Sequence, residues 1–278
     1  MTLEGVRVSR RWLALREPAD AAARSPELAD HLNQVLPPTG RQVIHDLGCG
    51  TGAMGRWLAP RLPGPQRWVL HDRDADLLEL AAAEPPGPAA DGATVTVEAK
   101  RSDVTRLHPG DVGDATLITA SALLDMLTEG ELVGLVGVCA GAGCPVLLTL
   151  SVVGRVRLTP AEPLDGRVAA AFDAHQRRVT QRGRLLGPDA VALAAGGFRR
   201  LGAEVLVRPS PWRLGASQAH LATEWLAGWV GAACEQQVEL AAETDAYTLR
   251  RLAQAKAGEL AVTVDHADVL VLPETISD

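Results

Sequence analysis

A chain of 278 residues, 47% of them hydrophobic and 22% charged, can bury a full core and has the balance of a globular protein. Its net charge of −7 argues against broad contact with a phosphate backbone, so nucleic acid is not an expected partner. Cys49, Cys139, Cys144 and Cys234 form no C-x-x-C pair and no zinc spacing with histidine, so the expectation is reduced thiols, no metal and a cytoplasmic location.

In chain order, residues 1–40 predict amphipathic helices ended by Pro37-Pro38, with Ser25-Pro26-Glu27 as a helix start. The N-terminus has no apolar run long enough for a signal peptide. Residues 41–59 pass from an apolar strand (Val43, Ile44) through Asp46 and three alternate glycines, Gly48, Gly50 and Gly52, into a helical run. Glycine suits such a turn because it accepts unusual backbone angles and has no side chain to hold a ligand away. Residues 68–71 predict a second strand ending at Asp72, with a helix over 75–83 and a third strand over 93–99. Residues 114–125 hold the expected fourth strand.

Residues 132–154 carry no charge and are long enough to span a bilayer, but five glycines and Pro145 divide them. They predict a helix end, a turn and a buried fifth strand over 146–153, with no membrane contact. Residues 155–162 predict a short strand or hairpin. Helices are expected over 165–181 and 186–195, the second stopped by Gly196-Gly197. A sixth strand is expected over 204–208, and helices over 223–243 and 245–256. The final strands, 260–264 and 269–272, flank an expected turn at Asp265-His266-Ala267-Asp268.

Gly50 to Gly55 satisfies the G-x-G-x-x-G dinucleotide pattern, which alone is weak. Asp46-Leu47-Gly48-Cys49-Gly50-Thr51-Gly52 with its strand resembles more closely the first motif of class I S-adenosylmethionine-dependent methyltransferases. That resemblance implies a Rossmann-like α/β fold: a mostly parallel seven-stranded sheet with helices on both faces. The expected units are a helical lid (1–40), the S-adenosylmethionine-binding domain (41–214), a helical cap (215–258) and the last strands (259–278). The first motif supplies Asp46, Gly48, Cys49 and Gly50 to the cofactor. Asp72, at a strand end, can accept hydrogen bonds from both ribose hydroxyls, and Arg73 can cover the adenine.

The resemblance further implies Asp103 and the Val104 N–H at the adenine edge, and Ala120 and Ser121 under the methionine part. It makes Trp12 a lid residue. Trp212, Trp225 and Trp229 are expected in an apolar acceptor pocket; Trp212 has the strongest claim. His175 is the candidate base, on a segment that faces the acceptor in such folds; His220 and His266 have weaker claims by position. Where relatives carry a histidine or aromatic pair after the fourth strand, this chain has Leu124 and Asp125. The implied activity is methyl transfer to an oxygen, nitrogen or carbon of a small, partly apolar molecule, with a homodimer left open. An NAD(P)-dependent oxidoreductase of similar topology and a non-catalytic S-adenosylmethionine-binding protein are the alternatives.

Overall fold

The computed structural model describes residues 8–37 and 40–274. Residues 1–7 of the expected lid, Pro38 of the expected helix stop, and 275–278 of the last segment lie outside the described residues. Two helices open the chain, α1 (Arg10–Ala23) and α2 (Pro26–Val35). Ser25 caps α2 as its sequence predicts, accepting the Leu28 N–H, with Pro26 in the first turn.

The sheet begins with four strands, β1 (Gln42–Leu47), β2 (Gln66–Asp72), β3 (Val95–Arg101) and β4 (Leu117–Ser121). Helix α3 (Ala53–Leu58) connects β1 to β2, and α4 (Ala75–Ala83) connects β2 to β3. Helix α5 (Glu129–Gly141) starts on a capping box, in which Thr128 and Glu131 satisfy each other's backbone N–H groups. It leads to β5 (Val146–Thr159), which pairs parallel with β4.

Beyond β5 come α6 (Asp165–Gln176), a small hairpin of β6 (Val179–Thr180) and β7 (Gly183–Arg184), then α7 (Ala190–Arg200). Strands β8 (Glu204–Pro209) and β9 (Trp212–Leu214) follow. Helices α8 (Ala219–Gln236) and α9 (Ala241–Ala257) precede the last strand, β10 (Ala261–Leu272). The strand order is β3-β2-β1-β4-β5-β10-β8, with β10 antiparallel to both neighbours and β9 paired to its first half. The sheet has eight strands where seven are expected; β9 is the addition.

Three expectations about elements are corrected. The tract over 155–162 does not form a separate hairpin, because β5 runs unbroken to Thr159 and pairs along its length with β10. The turn at 265–268 is instead the middle of β10, where pairing with β5 shifts register twice while the strand continues. Gly196-Gly197 does not stop α7. A Cβ on Gly197 would stand 3.3 Å from Val136 Cγ1, so that glycine serves close approach of α5 and α7.

Apolar side chains gather on both faces of the sheet and under the cap. Leu135, Val136 and Phe198 cover Ile118 and Val269 on one face, and Leu28, Leu32 and Trp57 cover Ile44 and Leu270 on the other. Helices α6, α8 and α9 share a third cluster with β9 and the first half of β10. The cap is pinned by Arg251, fully buried, whose Nη2 donates to both Asp165 oxygens at 2.5 and 2.7 Å.

On the face of β1 opposite Asp46, two buried histidines form a hydrogen-bonded chain. His45 Nε2 lies 3.0 Å from Asp114, His45 Nδ1 2.9 Å from His71 Nε2, and His71 Nδ1 2.9 Å from Ser102 Oγ. Burial lowers the pKa of both histidines, so both rings are neutral at pH 7, and the Asp114 carboxylate, which only accepts, turns each proton toward it. Burial, with the neighbouring His45 next, pushes the His71 pKa down to about 4. The stability this neutral ring contributes is complete above the unfolded value near 6.5 and is lost as pH falls toward 4, up to about 3 kcal/mol. The advantage of the wild type over His71→Asn in urea unfolding should therefore shrink by that amount between pH 7.5 and 4. A constant difference would show that His71 does not carry it.

Candidate active site

The carboxyl ends of the parallel strands open into one cleft of about 1200 Å³. Single-ligand pockets span roughly 300–1,000 Å³, so this one has room for two ligands. Its first wall is the glycine turn. Gly48 and Gly50 have φ of 70° and 55°, a region closed to most side chains. A Cβ on Gly48 would stand 3.3 Å from Leu123 Cδ1. The Gly48 and Cys49 N–H groups both donate to the His71 carbonyl, at 2.8 and 3.0 Å. The Gly50 N–H donates to Asp72 Oδ2 at 2.9 Å, and Asp72 Oδ1 accepts the Asp74 N–H at 2.9 Å. The turn and the β2 acid are thus one rigid unit.

Arg73, Asp103 and Val104 line the same end of the cleft. Asp103 Oδ1 accepts from the Thr105 N–H at 3.0 Å and its hydroxyl at 2.7 Å, which fixes a short turn over Val104–Arg106. Cys49 also lines the cleft, and burial raises its thiol far above the usual range, so it is inert at neutral pH.

Deeper in, Asp46 is buried, and its Oδ1 accepts the Thr119 hydroxyl at 2.7 Å. Its Oδ2 has no hydrogen-bond partner among the described residues. Burial raises its pKa to about 6, against the pull of Thr119 and Arg24. Arg24, also buried, donates from Nη2 to Ser121 Oγ at 3.2 Å, while its Nε and Nη1 are unpartnered. Burial lowers its pKa, with Asp20 and Asp268 opposing. Buried polar groups are nearly always satisfied, so three orphaned atoms of opposite charge in one cleft call for a zwitterionic ligand group.

The other end is aromatic. Trp12 and Trp212 line it, with ring centroids 6.3 Å apart. Trp212 Nε1 donates to Asp20 Oδ1 at 2.9 Å, and Asp20 holds Arg16 through two bonds of 2.8 and 3.1 Å. Arg16 in turn lies 5.0 Å over the Trp212 ring. Helix α1 is therefore fixed across the cleft. Glu17 also grips Arg56 of α3 through two bonds of 2.7 Å.

Two site assignments are corrected. His175 does not line the cleft: it lies at the seam of α6 and α8, its Nε2 3.2 Å from Glu235, and Phe172 is the α6 residue that faces inward. Ala120 is 2% exposed and packs with Leu47 and Ile118, because alternation along β4 turns it to the core while Ser121 faces the cleft.

Three lining residues were missed or undervalued. Arg24 carries no sequence signal; it merely follows α1. His266 lies in the irregular part of β10, lines the cleft, and has an unpartnered buried Nδ1. Burial, reinforced by Arg16, pushes its pKa down to about 4, so it is neutral. Asp125 does not begin a helix but sits in the middle of a short helical turn, Leu124–Met126, and lines the cleft. Among the described residues no group of three or more His, Cys, Asp or Glu is placed to hold a metal ion. Nor is any helix among them long and apolar enough to cross a membrane.

No family model and no curated protein matches this sequence. Solved structures do. An S-adenosylmethionine-dependent methyltransferase from Methanosarcina mazei is similar over 90% of this chain and 99% of its own, with a TM-score of 0.51 and 12% identity. The fold is that of the class I S-adenosylmethionine-dependent methyltransferases. A methyltransferase from Geobacter sulfurreducens, solved with S-adenosyl-L-homocysteine, is similar at a TM-score of 0.42 and 14% identity, over 96% of this chain and 99% of its own. A cyclopropane synthase from Mycobacterium tuberculosis reaches 0.48 at 14% identity, over 95% and 94%. Within this methyltransferase fold the cap helices α8 and α9 fall between β9 and β10, and Trp225 of α8 reaches the cleft.

Proposed function

We propose that the protein is a cytoplasmic enzyme that transfers a methyl group from S-adenosylmethionine to a small, partly apolar acceptor. The observation that carries this reading is the pair of buried groups left unsatisfied in the cleft, Asp46 Oδ2 and the Arg24 guanidinium. An amino-acid group presents an ammonium for the first and a carboxylate for the second. A dinucleotide has neither at that position, which separates this reading from the oxidoreductase. The remaining cofactor-facing residues fit an adenosine: Asp72 for the ribose, and Asp103, Val104 and Arg73 for the base. When bound, the cofactor supplies an electrophilic methyl on a sulfonium. The chain itself holds the reactants in line and, with α1 laid across the cleft, excludes water.

Calorimetric titration with S-adenosylhomocysteine and with NAD tests this. Micromolar binding of the first and none of the second is expected; the reverse order would sink the proposal. The binding should also depend on pH in one direction. Asp46 must be ionised to hold an ammonium, so affinity is complete well above about 6 and declines below it. Arg24 and Asp72 are the charges whose fields reach Asp46, the first favouring its ionised form and the second opposing it. Between pH 7.5 and 5 the affinity should fall about tenfold. An Asp46→Asn variant should bind more weakly at pH 7.5 and lose that slope.

A further inference from the structure

The acceptor end of the cleft has a charge account that does not close. Arg16 is held by Asp20 through two hydrogen bonds. Arg182 is held by Glu131 at 2.5 Å. His266 is neutral at physiological pH. Asp125 remains: its carboxylate accepts from its own backbone N–H but has no ion pair among the described residues. Arg16 and Arg178 are the cations whose fields reach it. The first is committed to Asp20, and the second lies outside the cleft, donating to the His175 carbonyl at 3.1 Å. The same cleft is lined by four aromatic side chains, Trp12, Phe172, Trp212 and Trp225.

Resting on the reading that the cofactor is S-adenosylmethionine, we propose that the methyl acceptor is an amine carried on an apolar, ring-bearing body, received as its ammonium by Asp125 and the tryptophan faces. An aromatic wall attracts a cation through its ring faces and an apolar body by burial, and the carboxylate supplies the counter-charge the cleft lacks. A hydroxyl acceptor would leave that charge uncompensated. The position of Asp125 suits the role. It sits in the short turn that follows β4, four residues past Ser121, whose hydroxyl binds Arg24, and it lines the cleft.

The chemistry balances without another reactant. The ammonium gives one proton to a carboxylate oxygen of Asp125 and becomes a neutral amine. Its lone pair forms the new N–C bond to the cofactor's methyl carbon while the C–S bonding pair returns to sulfur. The products are an N-methylated ammonium, the thioether form of the cofactor and a protonated Asp125, which returns its proton to water. Burial raises the Asp125 pKa to about 6, which makes the carboxylate a better proton acceptor than an exposed one and still leaves it ionised at neutral pH.

The test uses the full chain saturated with S-adenosylhomocysteine and matched probes: tryptamine against indole-3-ethanol, and phenethylamine against 2-phenylethanol. Titration calorimetry should show each amine binding at least about tenfold more tightly than its alcohol. In Asp125→Asn the amines should fall to the level of the alcohols, with alcohol and S-adenosylhomocysteine affinities unchanged. Because the carboxylate has no ion pair to lose, Tm should not fall; should that variant fail to fold, Asp125→Ala gives the same comparison. Alcohols binding as well as amines, an amine preference that survives both variants, or no binding of either amine at millimolar concentration would each overturn the proposal. S-adenosylhomocysteine binding reports separately on the cofactor reading, since its loss would remove that reading first.

Discussion

Replacing Asp268 by alanine should lower the stability of this protein by about 3–6 kcal/mol. The side chain is 1% exposed and binds three donors from three separate segments. Oδ2 accepts the Ser25 N–H at 2.8 Å; Oδ1 accepts the Leu150 N–H at 2.8 Å and the Ser210 hydroxyl at 2.5 Å. Truncation leaves all three donors buried and unpaired, each costing roughly 1–3 kcal/mol. Leu150 adds to the effect, because its φ of 55° is unfavourable for a branched side chain and is held there by that bond. For a chain of this size the loss corresponds to a Tm decrease of roughly 5–10 °C. Asp268→Asn keeps one acceptor oxygen and should lose about half as much. Thermal and urea unfolding measure both variants, and a loss below about 1 kcal/mol for the alanine would show that the carboxylate is not the tie it looks to be.

The same residue shows where sequence reasoning stopped. Asp265 to Asp268 has the composition of a turn, and nothing local says that two of its polar side chains point into a packed interior. The reason is tertiary: β10 bends through two register shifts, and partners distant in sequence, Ser25 and Leu150, pay for the burial. The glycine turn was legible because its demand is a backbone demand, met by residue type at fixed spacing. Asp72 and Asp103 were legible because each ends or follows a strand that the apolar pattern marks. His175 against His266 was not legible, since α6 presents Phe172 inward by helical phase while His266 enters the cleft only through the irregular strand. Arg24 was invisible for a different reason: its role depends on the angle between α1 and α2, which no periodicity encodes.

Arg24→Met should move binding and stability in opposite directions. In the free protein the Arg24 guanidinium is buried with one hydrogen bond, to Ser121, and two unpartnered nitrogens. Burial is also the largest influence on its pKa, which is lowered despite Asp20, Asp268 and Asp46 nearby. A buried cation so poorly paired costs stability, and an apolar side chain of similar length that keeps the contact with Trp57 relieves the cost. Tm should hold or rise by a few degrees. Affinity for S-adenosylhomocysteine should fall at least about a hundredfold, since a charge-assisted, bidentate carboxylate contact contributes roughly 3 kcal/mol or more in a dry site. Arg24→Lys should recover only part of that affinity, because a single ammonium cannot reproduce the guanidinium fork. A residue kept only for the fold would show the reverse pattern, with Tm falling in Arg24→Met and ligand affinity following it. Thermal unfolding and calorimetry on the same preparations separate the two, because a guanidinium held in reserve for a carboxylate is the one arrangement that weakens the empty protein and strengthens the loaded one.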